Sequence, residues 1–138
     1  MKETQSQIEF VEHRGELMAE LFLEDLKPHF VARPTTDLGY DLLATFKNNK
    51  GGLNMLGVVV KAIEHDPGQR FALKRHLHKF LSNSNIPGIL LVIDVKHNRL
   101  FYWRPDPAAG IPKAASVSVP ITEIDDHRKR NLRKSLAA

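Results

Sequence analysis

Along Gln5 to Leu26, apolar residues return at helical spacing. Phe10, Leu17, Met18, Leu21 and Phe22 recur there, while Glu9, Glu12, Glu16 and Glu20 fall on a separate acidic stripe. This predicts an amphipathic helix with those apolar residues facing inward. Pro28 ends it, because the residue before a proline is pushed out of the α region. The period then changes. Phe30, Val31 and Ala32 predict a short strand, followed by the polar turn Arg33 to Gly39. Tyr40 to Phe46 alternates, with Asp41, Leu43 and Thr45 on one face and Tyr40, Leu42, Ala44 and Phe46 on the other. Lys47 to Gly52, KNNKGG, supplies the asparagine and glycine of a hairpin turn. Leu56 to Ile63 is a nearly continuous apolar run, the pattern of a strand buried on both faces, and it contains one lysine, Lys61.

After the loop His65 to Gly68, the spacing predicts a helix over Arg70 to Leu81. Leu73, Leu77, Phe80 and Leu81 face inward in it, and Lys74, Arg75, His78 and Lys79 outward. Ile86 to Asp94 predicts another buried strand, paired with Arg99 to Trp103 across the turn Lys96-His97-Asn98. Arg104 to Ala115 reads as a Pro/Gly/Ala-rich loop. Thr122 to Leu136 reads as a basic helix started by Thr122. The order helix, three strands, helix, two strands, helix predicts an α/β sandwich on a small mixed sheet.

Composition narrows the function classes. With 138 residues there is room for one domain, 1–138, and 42% hydrophobic with 26% charged residues fits a folded one. The absence of cysteine excludes disulfides, thiolate metal sites, iron–sulfur clusters and a thiol nucleophile. The start MKETQSQIEF lacks the apolar stretch of a secretory signal, and the longest apolar run is interrupted by Pro87 and Asp94. A cytoplasmic location away from membranes is therefore expected. His76 and His78 are two apart on the predicted helix and point different ways, so the histidines make no zinc site. A net charge of +4 is compatible with a polyanionic partner.

Two features carry candidate chemistry. Asp37-Leu38-Gly39-Tyr40-Asp41 is a turn that feeds a strand with an acid at its entrance. Lys61 is a lone charge within Val58-Val59-Val60-Lys61-Ala62-Ile63, and a buried ammonium costs several kcal/mol unless it is paired. A hairpin through KNNKGG brings Asp41 and Lys61 to one end of the sheet. A carboxylate, a lysine and a bound Mg²⁺ form a minimal apparatus for phosphodiester hydrolysis, in which the metal lowers the pKa of a water and the lysine steadies the developing charge.

An acidic helix, D-x-G-x-D, a hairpin and an x-K strand together resemble the PD-(D/E)XK nuclease superfamily, nearest its Mrr-like branch. The likeness spans roughly residues 8 to 104 and includes IPGILLVIDVKHNRLFYW. It implies a restriction-endonuclease-like α/β sandwich with a central mixed sheet of about five strands flanked by helices. By resemblance, Asp41 is the metal-binding aspartate, Lys61 the catalytic lysine, and the Val60 carbonyl a backbone metal ligand. Glu16 resembles the helical glutamate beside the metal, with Glu20 one turn on. The family's acid or glutamine position is Val59, which offers no oxygen, so a second ligand comes from the helical glutamates; Glu64 lies on the opposite strand face. The implied activity is Mg²⁺-dependent DNA cleavage, with Mn²⁺ as substitute, by a homodimer or by the nuclease subunit of a defence or mobile-element complex. The alternative is a catalytically inactive descendant for nucleic-acid binding or protein assembly. Lys74, Arg75 and Lys79, with Arg128, Arg130 and Arg133, are the candidate phosphate contacts; each set reads equally as a solvated helix face.

Overall fold

The computed structural model describes residues 4–35 and 39–138. Its elements are α1 (Gln5–Asp25), β1 (Phe30–Ala32), β2 (Leu42–Lys47), β3 (Leu53–Ile63), β4 (Arg70–Lys74), α2 (Arg75–Asn83), β5 (Gly88–Asp94) and β6 (Arg99–Trp103). A short 3-10 turn (Pro107–Ala109), β7 (Ser116–Pro120), β8 (Thr122–Glu123) and α3 (Asp126–Leu136) follow. A six-stranded mixed sheet has the order β1-β2-β3-β5-β6-β8, and β4 pairs with β7 in a separate two-stranded sheet. Only β3 and β5 run parallel, Val58 opposite Ile89 and Lys61 opposite Val92. A parallel neighbour requires a crossover rather than a tight turn, and β4 with α2 supplies it.

The expected α/β class, with a central mixed sheet flanked by helices, is what the chain forms. β5 sits at its centre and every one of its residues is buried. Its Ile89, Leu91 and Ile93 join a core with Leu42, Ala44, Phe46 and Val58, covered by α1 and α3. Leu90 and Val92 join a second core with Val59 and Phe101, covered by α2, β4 and β7. The hairpin at KNNKGG forms as expected, Lys47 opposite Leu53. Asn48 Oδ1 accepts from the N–H of Lys50 and of Gly52, and Gly51 takes φ +82°.

Several expectations are corrected. In α1, Phe10, Leu17 and Leu21 are exposed, and the buried residues are Val11, Gly15, Ala19, Phe22 and Leu23. The helix has two apolar stripes, and the one with small residues lets its backbone approach the sheet. Arg70–Lys74 is a strand rather than the first turn of a helix. Each of its residues pairs with β7, in which serine and valine alternate. His78 faces inward, 7% exposed, against the indole of Trp103. Thr122 begins no helix: it pairs with Tyr102 in β8, and α3 is capped by Asp125, whose Oδ1 accepts from Arg128 N–H at 2.8 Å. Tyr40 leaves the face of Leu42 for the second core, because it precedes the regular strand. There its ring lies over Gly57, where a Cβ would be 2.4 Å from Cε1, and its hydroxyl donates to the Ile86 carbonyl.

Candidate active site

The last ladder pair between β2 and β3 is Leu42 with Val58. Beyond it β3 continues to Ile63 with a strand partner only on its β5 side among the described residues. Asp41 stands where the strands part. Its backbone N–H donates to the Val58 carbonyl at 2.8 Å, and its Oδ2 accepts the Val60 N–H at 2.7 Å. The carboxylate thus replaces the carbonyl that a continuing strand would have supplied. Within a strand the N–H and C=O of one residue point to the same side, so the Val60 carbonyl opens toward Asp41 as well.

Helix α1 closes this notch from above. Gly15 lies directly on β3, where a Cβ would be 2.5 Å from the Ala62 Cβ and 3.9 Å from Val60 Cγ1. That close approach brings the neighbouring helical turn over the edge of the sheet. The outcome is a cavity of about 250 Å³ lined by Glu12, Glu16, Asp41, Val60, Lys61 and Ala62. Asp41, Lys61, Glu16 and the Val60 position, expected together from sequence, line this one cavity. Lys61 shares strand parity with Val59 and Ile63 of the second core, and borders the cavity at the open edge. It makes no ion pair among the described residues.

One lining residue, Glu12, and one residue that contacts the lining from outside, Arg33, are not legible in the sequence. Glu12 joins the cavity one turn before Glu16, and the four-residue spacing on the acidic stripe was its only signal. Arg33, from the turn after β1, reaches back to α1, with Nη1 3.2 Å from Glu16 Oε2 and Nη2 2.7 Å from Glu20 Oε2. The hydrogen bond to Glu20 raises the Arg33 guanidinium above its ordinary value, against a partial opposing effect of burial; the charges of Glu20 and Glu16 add to the rise. Glu20 is not among the residues lining the cavity, and neither is Glu64. Asp37 lies outside the described residues.

The acidic side chains that line the cavity are Asp41, Glu12 and Glu16. Asp41 keeps one oxygen not engaged by Val60, and Val60, Glu12 and Glu16 line the same cavity. Among the described residues no three His, Cys, Asp or Glu side chains converge tightly enough to cage a metal by themselves. Val59 is 3% exposed and packs in the second core.

The six basic candidates do not form one surface. Lys74 and Lys79 are exposed around α2, and Arg75 Nε donates to the Pro112 carbonyl at 2.9 Å. α2 packs on the second core, whereas α3 packs on the first through Leu132 and Leu136. Arg128, Arg130 and Arg133 are exposed there, on the opposite side of the sheet. No described helix is long and apolar enough to cross a membrane. Comparison of the sequence with protein-family models and with curated proteins finds no match to either.

Proposed function

We propose that this chain is a restriction-endonuclease-like domain that hydrolyses phosphodiester bonds in DNA with Mg²⁺, alone or as the nuclease subunit of a defence or mobile-element complex. The observation that supports this reading is the meeting of Asp41, Lys61 and the helical acids Glu12 and Glu16 in one cavity where β2 and β3 diverge. Asp41 and the Val60 carbonyl would hold the ion from the sheet, with Glu16 opposite. A bound Mg²⁺ supplies Lewis acidity and a water of lowered pKa. Lys61, which makes no ion pair among the described residues, would steady the attacking oxygen or the charge that develops on the phosphate. Arg33 holds Glu16 in position from outside the cavity.

A second reading has its own observation. Val59 brings no oxygen to the site and is packed in the core, which favours a catalytically silent module of the same fold that binds nucleic acid or assembles with a partner. The two separate on incubation with supercoiled, linear and single-stranded DNA in Mg²⁺, Mn²⁺ or EDTA. Asp41→Asn retains an oxygen to accept the Val60 N–H while removing the charge, so it distinguishes metal anchoring from strand capping. The nuclease reading expects metal-dependent cleavage that Asp41→Asn and Lys61→Met abolish in folded protein. Full cleavage by Asp41→Asn, or none by the wild type, overturns it. Salt-sensitive DNA binding without cleavage supports the silent module.

A further inference from the structure

A second cavity, about 600 Å³, shares no lining residue with the acidic site. It lies beside the second core, between the end of β6 and the β7 strand, and is bordered by His78, Tyr102, Trp103, Arg104 and Val117 among others. A pocket of this size suits a small organic molecule with few polar contacts. Three features define which kind.

The first is a flat aromatic wall. Trp103, half-buried, is the only tryptophan of the chain. The second is an imidazole with spare hydrogen-bonding capacity. His78 is 7% exposed and stacks on the indole, with ring centroids 5.1 Å apart and planes at 33°. Its Nδ1 lies 3.5 Å from Ser82 Oγ, at the limit of a hydrogen bond, and its Nε2 has no partner among the described residues. Burial lowers its pKa, so at neutral pH the ring offers one donor and one acceptor. The third is a cation at the rim: Arg104 is exposed and makes no ion pair among the described residues.

We propose that this cavity binds a nucleotide unit, with the base against Trp103, the base edge hydrogen-bonded to His78, and the phosphate at Arg104. A base lying near the plane of the imidazole would extend that ring across the indole and meet Nε2 edge-on. Aromatic stacking accepts any base, because every base has a π-face. The choice of a nucleotide rests on the nucleic-acid reading above, but the binding needs no metal and no cleavage. Trp103 packs on the second core, whereas α1 and its acids cover the first, so this cavity and the acidic site are separate sites on the two faces of the sheet.

Trp103 makes the test direct, since all tryptophan fluorescence comes from the proposed wall. The wild-type chain is titrated in EDTA with dAMP, deoxyadenosine, ribose 5-phosphate, a short single-stranded oligonucleotide and the matching duplex. The inference expects saturable quenching by dAMP, weaker binding of deoxyadenosine, and none by ribose 5-phosphate or duplex. Quenching by the oligonucleotide as well assigns the site to a strand; quenching by dAMP alone assigns it to a free nucleotide. Arg104→Ala, at an exposed position, should weaken dAMP about tenfold while leaving deoxyadenosine unchanged. Trp103→Ala, followed by calorimetry, should weaken both by roughly ten- to a hundredfold. Absence of saturable quenching at millimolar dAMP, or an equal response to ribose 5-phosphate, overturns the site. A failure to cleave DNA would leave each of these measurements unaffected.

Discussion

Replacing Gly15 by alanine sets two physical effects against each other. In a helix interior the exchange ordinarily stabilises by about 1 kcal/mol, through backbone entropy. At this position the new methyl would lie 2.5 Å from the Ala62 Cβ and 3.5 Å from its Cα. Neither methyl can rotate away, because each is attached directly to the backbone. Relief requires α1 to lift from β3, and overpacking of this kind costs roughly 1–3 kcal/mol. The net result is a destabilisation of about 1 kcal/mol, opposite in sign to the propensity effect. Lifting α1 also moves Glu12 and Glu16 away from Asp41, so the metal-dependent cleavage proposed above should fall even under conditions where the fold persists. Ala62→Gly removes the obstructing methyl, and the double variant should recover at least about 1 kcal/mol relative to the sum of the two single changes. Urea unfolding of the four proteins at pH 7 measures the cycle. Gly15→Ala more stable than wild type, or strict additivity in the double variant, would refute the close helix–strand contact on which the site's geometry depends.

Two further predictions address the fold. Leu23→Ala, at a fully buried position, should cost about 2–5 kcal/mol, whereas Leu21→Ala, at 67% exposure, should change stability by no more than about 0.5 kcal/mol; thermal or urea unfolding that ranks them the other way would restore the sequence-based helix face. Asp94 ends β5 fully buried, accepting from the N–H groups of Lys96 and His97 and from the His97 ring at 2.6 Å. Burial alone would raise its carboxyl pKa, but the His97 imidazole and those N–H groups outweigh it and hold the pKa below its ordinary value. The stability it contributes is therefore fully present above about pH 4 and is lost as pH falls through the depressed value. Asp94→Asn retains a hydrogen-bonding side chain without the charge, so urea midpoints measured from pH 7 to pH 3 should decline less steeply than in wild type; parallel curves would remove Asp94 from the acid response.

What the sequence determined by itself is local or periodic. The hairpin KNNKGG, the apolar run Leu56 to Ile63 that contains Lys61, and the turn between β5 and β6 each depend on a few adjacent residues, and each lies where the pattern placed it. Asp41 and Lys61 could be brought to one sheet end on paper because a hairpin carries its own register. Partner-dependent features were not legible. Arg70–Lys74 carries helix-compatible spacing and becomes a strand because β7, some 45 residues later, offers it a ladder. α1 carries two apolar stripes, and the choice fell to the one in which Gly15 and Ala19 allow close approach to the sheet. That same approach admitted Glu12 to the cavity, while Arg33 found Glu16 and Glu20 across a turn. The two basic helices came to opposite faces because the layer each one covers is set by which core its apolar residues join. Periodicity specifies that a helix or strand has a buried face; only packing against distant segments decides what that face meets, and so which charged residues come to share a site.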